Sequence, residues 1–214
     1  MHTLMNLRRG ALALALSALA SLASAATYHI ELDTASLVAD YGSSGWIDLQ
    51  FNPGPGNTPW AAVTLSDFSG FGDAASAQLN GDVTGSLAGG YTLANTSDWN
   101  DLFHAVNFGG KIGFNVSFSG AADPTEKANQ STFSVGLMNS DASAYLGTTD
   151  ASGSLLQLNW TAGLVADQGT VAAAPLLSTP TLPALAAPVP EPETWAMLAG
   201  GLALLGLARR RKPV

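Results

Sequence analysis

The side chains best suited to chemistry in this chain carry oxygen. In the run NSDASAYLGTTD, Asn139, Asp141, Ser143 and Asp150 fall at the first, third, fifth and twelfth places of a calcium-binding loop. Carboxylate and carbonyl oxygens at that spacing suit a hard divalent cation. The run departs from the pattern at two places. Ala144 stands where a glycine makes the sharp turn, and Asp150 replaces the glutamate that binds through both oxygens. A second cluster, SDWND, offers Asp98, Asn100 and Asp101. Calcium is the candidate ion, and no other cofactor is expected.

Aromatic residues beside hydrogen-bonding groups form the second constellation. Trp46 shares one side of the stretch GWIDLQF with Asp48 and Gln50, and Trp99 sits among Asp98, Asn100 and Asp101. A ring supplies apolar area and its polar neighbours fix orientation, which is a way of gripping a sugar. The other reading of Trp46 is a ring packed beneath a loop. His29 and His104 lie far apart in the chain, and there is no cysteine. Thiol catalysis, cysteine zinc sites and iron–sulfur clusters are thereby excluded. No nucleophile elbow, zincin helix, phosphate loop or dinucleotide fingerprint is present. A glycosidase-type pair of carboxylates is the one enzymatic arrangement the many aspartates leave open.

Strands must position these residues. In KIGFNVSFSG, Ile112, Phe114, Val116 and Phe118 alternate with small polar residues, a period of two that buries one face of a strand. YHIELDT sends Tyr28, Ile30 and Leu32 inward, and GWIDLQF does the same with Ile47, Leu49 and Phe51. In LFHAVNFG, His104 shares its phase with Leu102, Val106 and Phe108, which marks it as a core or rim histidine. Further strand candidates are WAAVTLSDF, AQLNGDVTG, GGYTLAN, STFSVGLMN and LLQLNWTA, separated by Gly, Asn, Asp and Ser. About nine strands without a helical period predict an all-β fold, an antiparallel two-sheet sandwich of jelly-roll type, over residues 26–168.

The flanks read differently. Arg8 and Arg9, an apolar stretch and the small residues Ala23 and Ala25 form a signal peptide over residues 1–25, cut by signal peptidase. Residues 169–188 are rich in Pro and Ala and are expected to be an extended linker. An uncharged stretch over about 194–208 follows, with Trp195 at one end and Arg209, Arg210, Arg211 and Lys212 at the other. That order predicts a short transmembrane helix with the basic tail, 209–212, on the cytoplasmic side. The whole chain carries −8, but only Lys111 and Lys127 lie between the two flanks, against fourteen carboxylates, a net charge of about −12. Such a domain lacks the basic footprint that nucleic acid requires.

The last residues resemble the C-terminal sorting signal of PEP-CTERM proteins of exopolysaccharide-producing Gram-negative bacteria. Pro190-Glu191-Pro192, preceded by Val189, matches the motif, and the apolar stretch and arginine-rich end follow in the expected order over 189–214. The resemblance implies cleavage near the motif by an exosortase. It implies export, transient anchoring in the inner membrane with the domain outside the cytoplasm, and release to the cell surface or extracellular matrix. The domain is also similar to short PEP-CTERM proteins of unassigned function, through YHIELDTASL, GWIDLQFNPG, GDVTGSLAGGYTL and FNVSFSG. The expected function is a non-enzymatic structural or adhesive protein of the surface or exopolysaccharide biofilm matrix. The alternative is a carbohydrate-binding module, calcium-dependent or not, with a polysaccharide hydrolase third.

Overall fold

The computed structural model describes residues 27–126 and 129–176. The expected signal peptide with Ala23 and Ala25 lies outside them. So do most of the segment expected to be linker, the motif Val189–Pro192, Trp195 and the basic residues Arg209 to Lys212. Among the described residues no helix is long and apolar enough to cross a membrane.

Eleven strands build two antiparallel sheets: β1 (Thr27–Asp33), β2 (Ser44–Pro53), β3 (Ala61–Ser69), β4 (Gln78–Asn80), β5 (Val83–Ser86), β6 (Gly90–Ala94), β7 (Asp101–Asn107), β8 (Lys111–Gly120), β9 (Ser131–Met138), β10 (Ser154–Thr161) and β11 (Thr170–Pro175). One sheet has the order β1-β8-β3-β6-β5, the other β11-β10-β9-β2-β7-β4. The chain passes from sheet to sheet at most connections; only β5–β6, β9–β10 and β10–β11 are successive strands of one sheet. The expected two-sheet sandwich is the observed architecture.

The period of two decides which residues lie between the sheets. Ile112, Phe114, Val116 and Phe118 of β8 face Ile47, Leu49 and Phe51 of β2 and Phe133 and Val135 of β9 in one continuous core. Phe118 meets Phe51 and Phe133 edge to face at 6.1 and 6.4 Å, the geometry that the ring quadrupole favours. His104 belongs to this interior. Its ring is fully buried beside Phe71 and Tyr91, Nδ1 lies 2.8 Å from the Ala105 carbonyl, and Nε2 has no partner.

Two expectations about strands are corrected. AQLNGDVTG is not one strand but two, β4 and β5, in opposite sheets. The break is at Gly81, which has φ +72 and lies so close to the Trp99 carbonyl that an added Cβ would sit 2.1 Å from it. The second correction is at the far boundary. Thr170–Pro175 pairs along β10 from Thr161 to Leu156, so the sheet takes in the first residues of the segment expected to be linker. Alanine is a poor sheet former, but an exposed edge strand beside an already ordered β10 needs little from its own side chains.

Candidate functional site

The outward face of the six-stranded sheet gathers the residues that the sequence singled out for sugar binding. Along β2, Trp46, Asp48, Gln50 and Asn52 point away from the core. Register places Asp48 opposite Phe103 and Gln50 opposite Asp101 on β7, with Gly136 and Ser134 as their partners on β9. Two further polar rows cross the sheet, Gln50–Ser134–Gln157 and Asn52–Thr132–Asn159.

Near the start of β2, Trp46 stacks on Phe103 with ring centroids 4.8 Å apart and planes 6° from parallel. Its indole N–H donates to the Ser140 carbonyl at 3.1 Å, so the ring is half-buried and tied to the loop between β9 and β10. That loop also covers Asp48. Although it points outward from its strand, Asp48 is only 7 % exposed. One carboxylate oxygen, Oδ2, accepts from Gln50 Nε2 at 2.8 Å and from the Tyr145 hydroxyl at 3.2 Å. Burial raises the Asp48 pKa above its ordinary value, with a smaller push from the charge of Asp101, against the pull of those two bonds. The Tyr145 hydroxyl is also raised, first by burial and then by the charge of Asp48.

Tyr145 reaches this position across two glycines. An added Cβ would lie 3.1 Å from its ring at Gly136 and 2.4 Å at Gly153, where φ is also +74. Sequence reasoning passed over Tyr145. The glycine inside SVGLM was the available sign, since a glycine within a strand often marks a close approach.

At the other end of the row, the Trp99 indole donates to Asp101 Oδ1 at 2.6 Å, and Asn80 Nδ2 donates to Oδ2 at 3.2 Å. Trp99 nevertheless stays 56 % exposed. Asn100 fixes this corner. Its side chain is fully buried, donating to the carbonyls of Phe51 (3.1 Å) and Ser97 (2.8 Å) and accepting from the Asp82 amide (2.9 Å). Its own amide donates to Asn52 Oδ1 at 2.7 Å, and Asn52 Nδ2 donates to Gln50 Oε1 at 3.2 Å. A chain of bonds therefore runs Tyr145–Asp48–Gln50–Asn52–Asn100. Phe103 was also missed, although the phase that sends His104 inward sends Phe103 out.

Of the calcium candidates only Asp101 bonds into this arrangement; Asn139, Asp141 and Asp150 belong to the β9–β10 loop beside it. Among the described residues no three His, Cys, Asp or Glu side chains gather as a metal group. Asn139 and Asp141 bend back on their own loop. Asn139 Oδ1 accepts from the Ser143 and Ala144 amides, and Asp141 Oδ1 accepts from the Ser143 hydroxyl at 2.8 Å. Asp150 accepts from the Ser152 amide and hydroxyl. Those donors lower the pKa of both aspartates. Asp98 is exposed, and only Asp101 joins the aromatic row. A pocket of about 280 Å³ lies elsewhere, lined by Asp123, Glu126 and Thr161 to Leu164.

Residues 188–212 match the family model of the PEP-CTERM protein-sorting motif. No curated protein and no solved structure matches the chain. The motif implies an exported protein, processed by an exosortase and sorted to the membrane or cell surface.

Proposed function

We propose that this chain is a non-enzymatic adhesive or structural protein, set outside the cell by exosortase processing and retained there in the exopolysaccharide matrix. The reading is carried by the order of its parts: a self-contained β-sandwich with a continuous core precedes a sorting motif at residues 188–212. Under it Val189, Pro190, Glu191 and Pro192 are read by the processing enzyme. The apolar stretch and Arg209 to Lys212 hold the chain in the inner membrane until the cut. The acidic surface keeps a displayed domain solvated.

Cells lacking the exosortase should hold the full-length chain in the inner-membrane fraction, and wild-type cells should yield a shortened chain at the surface or in the matrix. The Glu191→Ala chain should behave in wild-type cells as the native chain does without the enzyme. Normal shortening in both cases would refute the reading.

A further inference from the structure

We propose that the outward face of the six-stranded sheet binds a neutral, extended glycan, with Trp99 and the Trp46–Phe103 pair as two stacking positions and Asn80, Gln50 and Asn52 as hydrogen-bonding groups between them, Asp101 and Asp48 being the buried carboxylates that hold Trp99 and Gln50 in place. This rests on the matrix-protein reading and names its partner.

The first argument is Trp99. A tryptophan needed for packing is buried, and a merely tolerated surface tryptophan is free to move. Trp99 is neither, because the residue is 56 % exposed while its N–H is held at 2.6 Å by Asp101. Asn80 holds that carboxylate in turn, and the buried Asn100 holds the backbone between them. An aromatic plane ordered before contact loses little freedom when a sugar ring lies on it. The second argument is spacing. From Trp46 to Gln50, the residue opposite Asp101, β2 advances four residues, about 13 Å at the strand rise. The two aromatic positions thus lie along a line suited to an extended chain of several sugar rings rather than a single one.

The polar groups select the class. The amides of Gln50, Asn52 and Asn80 can both donate to and accept from sugar hydroxyls. An acidic polysaccharide would bring its own carboxylates against Asp48 and Asp101, on a domain with two lysines and fourteen acidic residues. A neutral one meets no such repulsion.

The test is affinity electrophoresis of the full-length chain in detergent, through gels containing a neutral β-glucan, a mannan or a galactan, with a polyuronate gel for comparison. Native chain should be retarded in at least one neutral gel and not in the polyuronate. Trp99→Ala and Asp101→Asn should each weaken the retardation at least tenfold while unfolding at temperatures close to that of the native chain. Asn115→Ala, on the other sheet, should bind as the native chain does. The inference is overturned by free migration in every neutral gel, by retardation that Trp99→Ala leaves intact, or by binding to the polyuronate alone. Self-association lost in Trp99→Ala without glycan binding would assign the face to a second copy and also overturn it. The exosortase assay reads delivery, not binding, so a chain that is sorted but ignores glycans sinks this inference alone, and an unsorted chain that binds sinks only the delivery.

Discussion

The two sheets share one core but turn different surfaces outward. On the five-stranded sheet the outward row is small and charged. His29 Nδ1 lies 2.7 Å from Asn115 Oδ1, Asn115 donates to Asp67 at 2.6 Å, Thr27 meets Ser117 at 2.8 Å, and Lys111 pairs with Glu31 at 2.6 Å. On the six-stranded sheet the row holds two tryptophans, a phenylalanine and a tyrosine laced together by amides and buried carboxylates. Inward-facing residues are alike in kind, so folding does not call for the difference. A surface needed only for solubility resembles the first face, where exposed ion pairs contribute little. The second keeps costly aromatic area near water and spends buried polar groups on holding it still.

Removing the groups that hold each face separates them most sharply. Asn100→Ala would leave the Phe51 and Ser97 carbonyls and the Asp82 amide without their side-chain partner. A loss of about 2–4 kcal/mol in chemical denaturation is expected, because unsatisfied buried groups forfeit their solvation. The matching change on the other sheet, Asn115→Ala, frees groups that water can reach and should cost less than about 1 kcal/mol. Equal losses would erase the distinction between a built face and a solvated one.

Next in size is the seat of Tyr145. Gly153→Ala meets both a positive φ and the tyrosine ring, and should lower stability by roughly 1–3 kcal/mol. Tyr145→Ala in the same background removes the ring and should recover the part due to the clash, leaving the part due to the backbone. Were the double variant no more stable than Gly153→Ala, the ring would not rest on Gly153.

These contrasts show where the sequence was readable. Alternation in KIGFNVSFSG and GWIDLQF revealed the strands, their inward faces and hence the sandwich, because a period of two is local and survives any arrangement of strands. The same alternation put Trp46, Asp48 and Gln50 on one face. It could not reveal that Asp101 would lie beside Gln50, since that depends on the register of β2 with β7, about fifty residues apart in the chain. Nor could it show that a loop would return Tyr145 over Asp48 and turn an outward carboxylate into a buried one. The split of AQLNGDVTG was legible only as a glycine, and β11 hardly at all, because TVAAAP takes its conformation from β10.

The smallest effect concerns that covered carboxylate. Asp48 has a pKa raised above the ordinary 3.8. A carboxyl whose folded pKa exceeds its unfolded one contributes stability that is fully present below the unfolded value and is lost as pH rises through the folded value. Asp141 and Asp150 have lowered values and opposite sign, adding stability above the ordinary value that is lost as pH falls; both are fully exposed, so their share is weak. Comparing the native chain with Asp48→Asn cancels that background and keeps the Tyr145 and Gln50 neighbours. The native chain should therefore lose stability relative to Asp48→Asn as pH rises through the range above the ordinary carboxylate value of 3.8, followed by denaturant midpoints at constant ionic strength. A difference that stays flat across that window would mean that water reaches Asp48 freely beneath Tyr145. The two outward faces would then differ in their aromatic rings and not in how their charges are held.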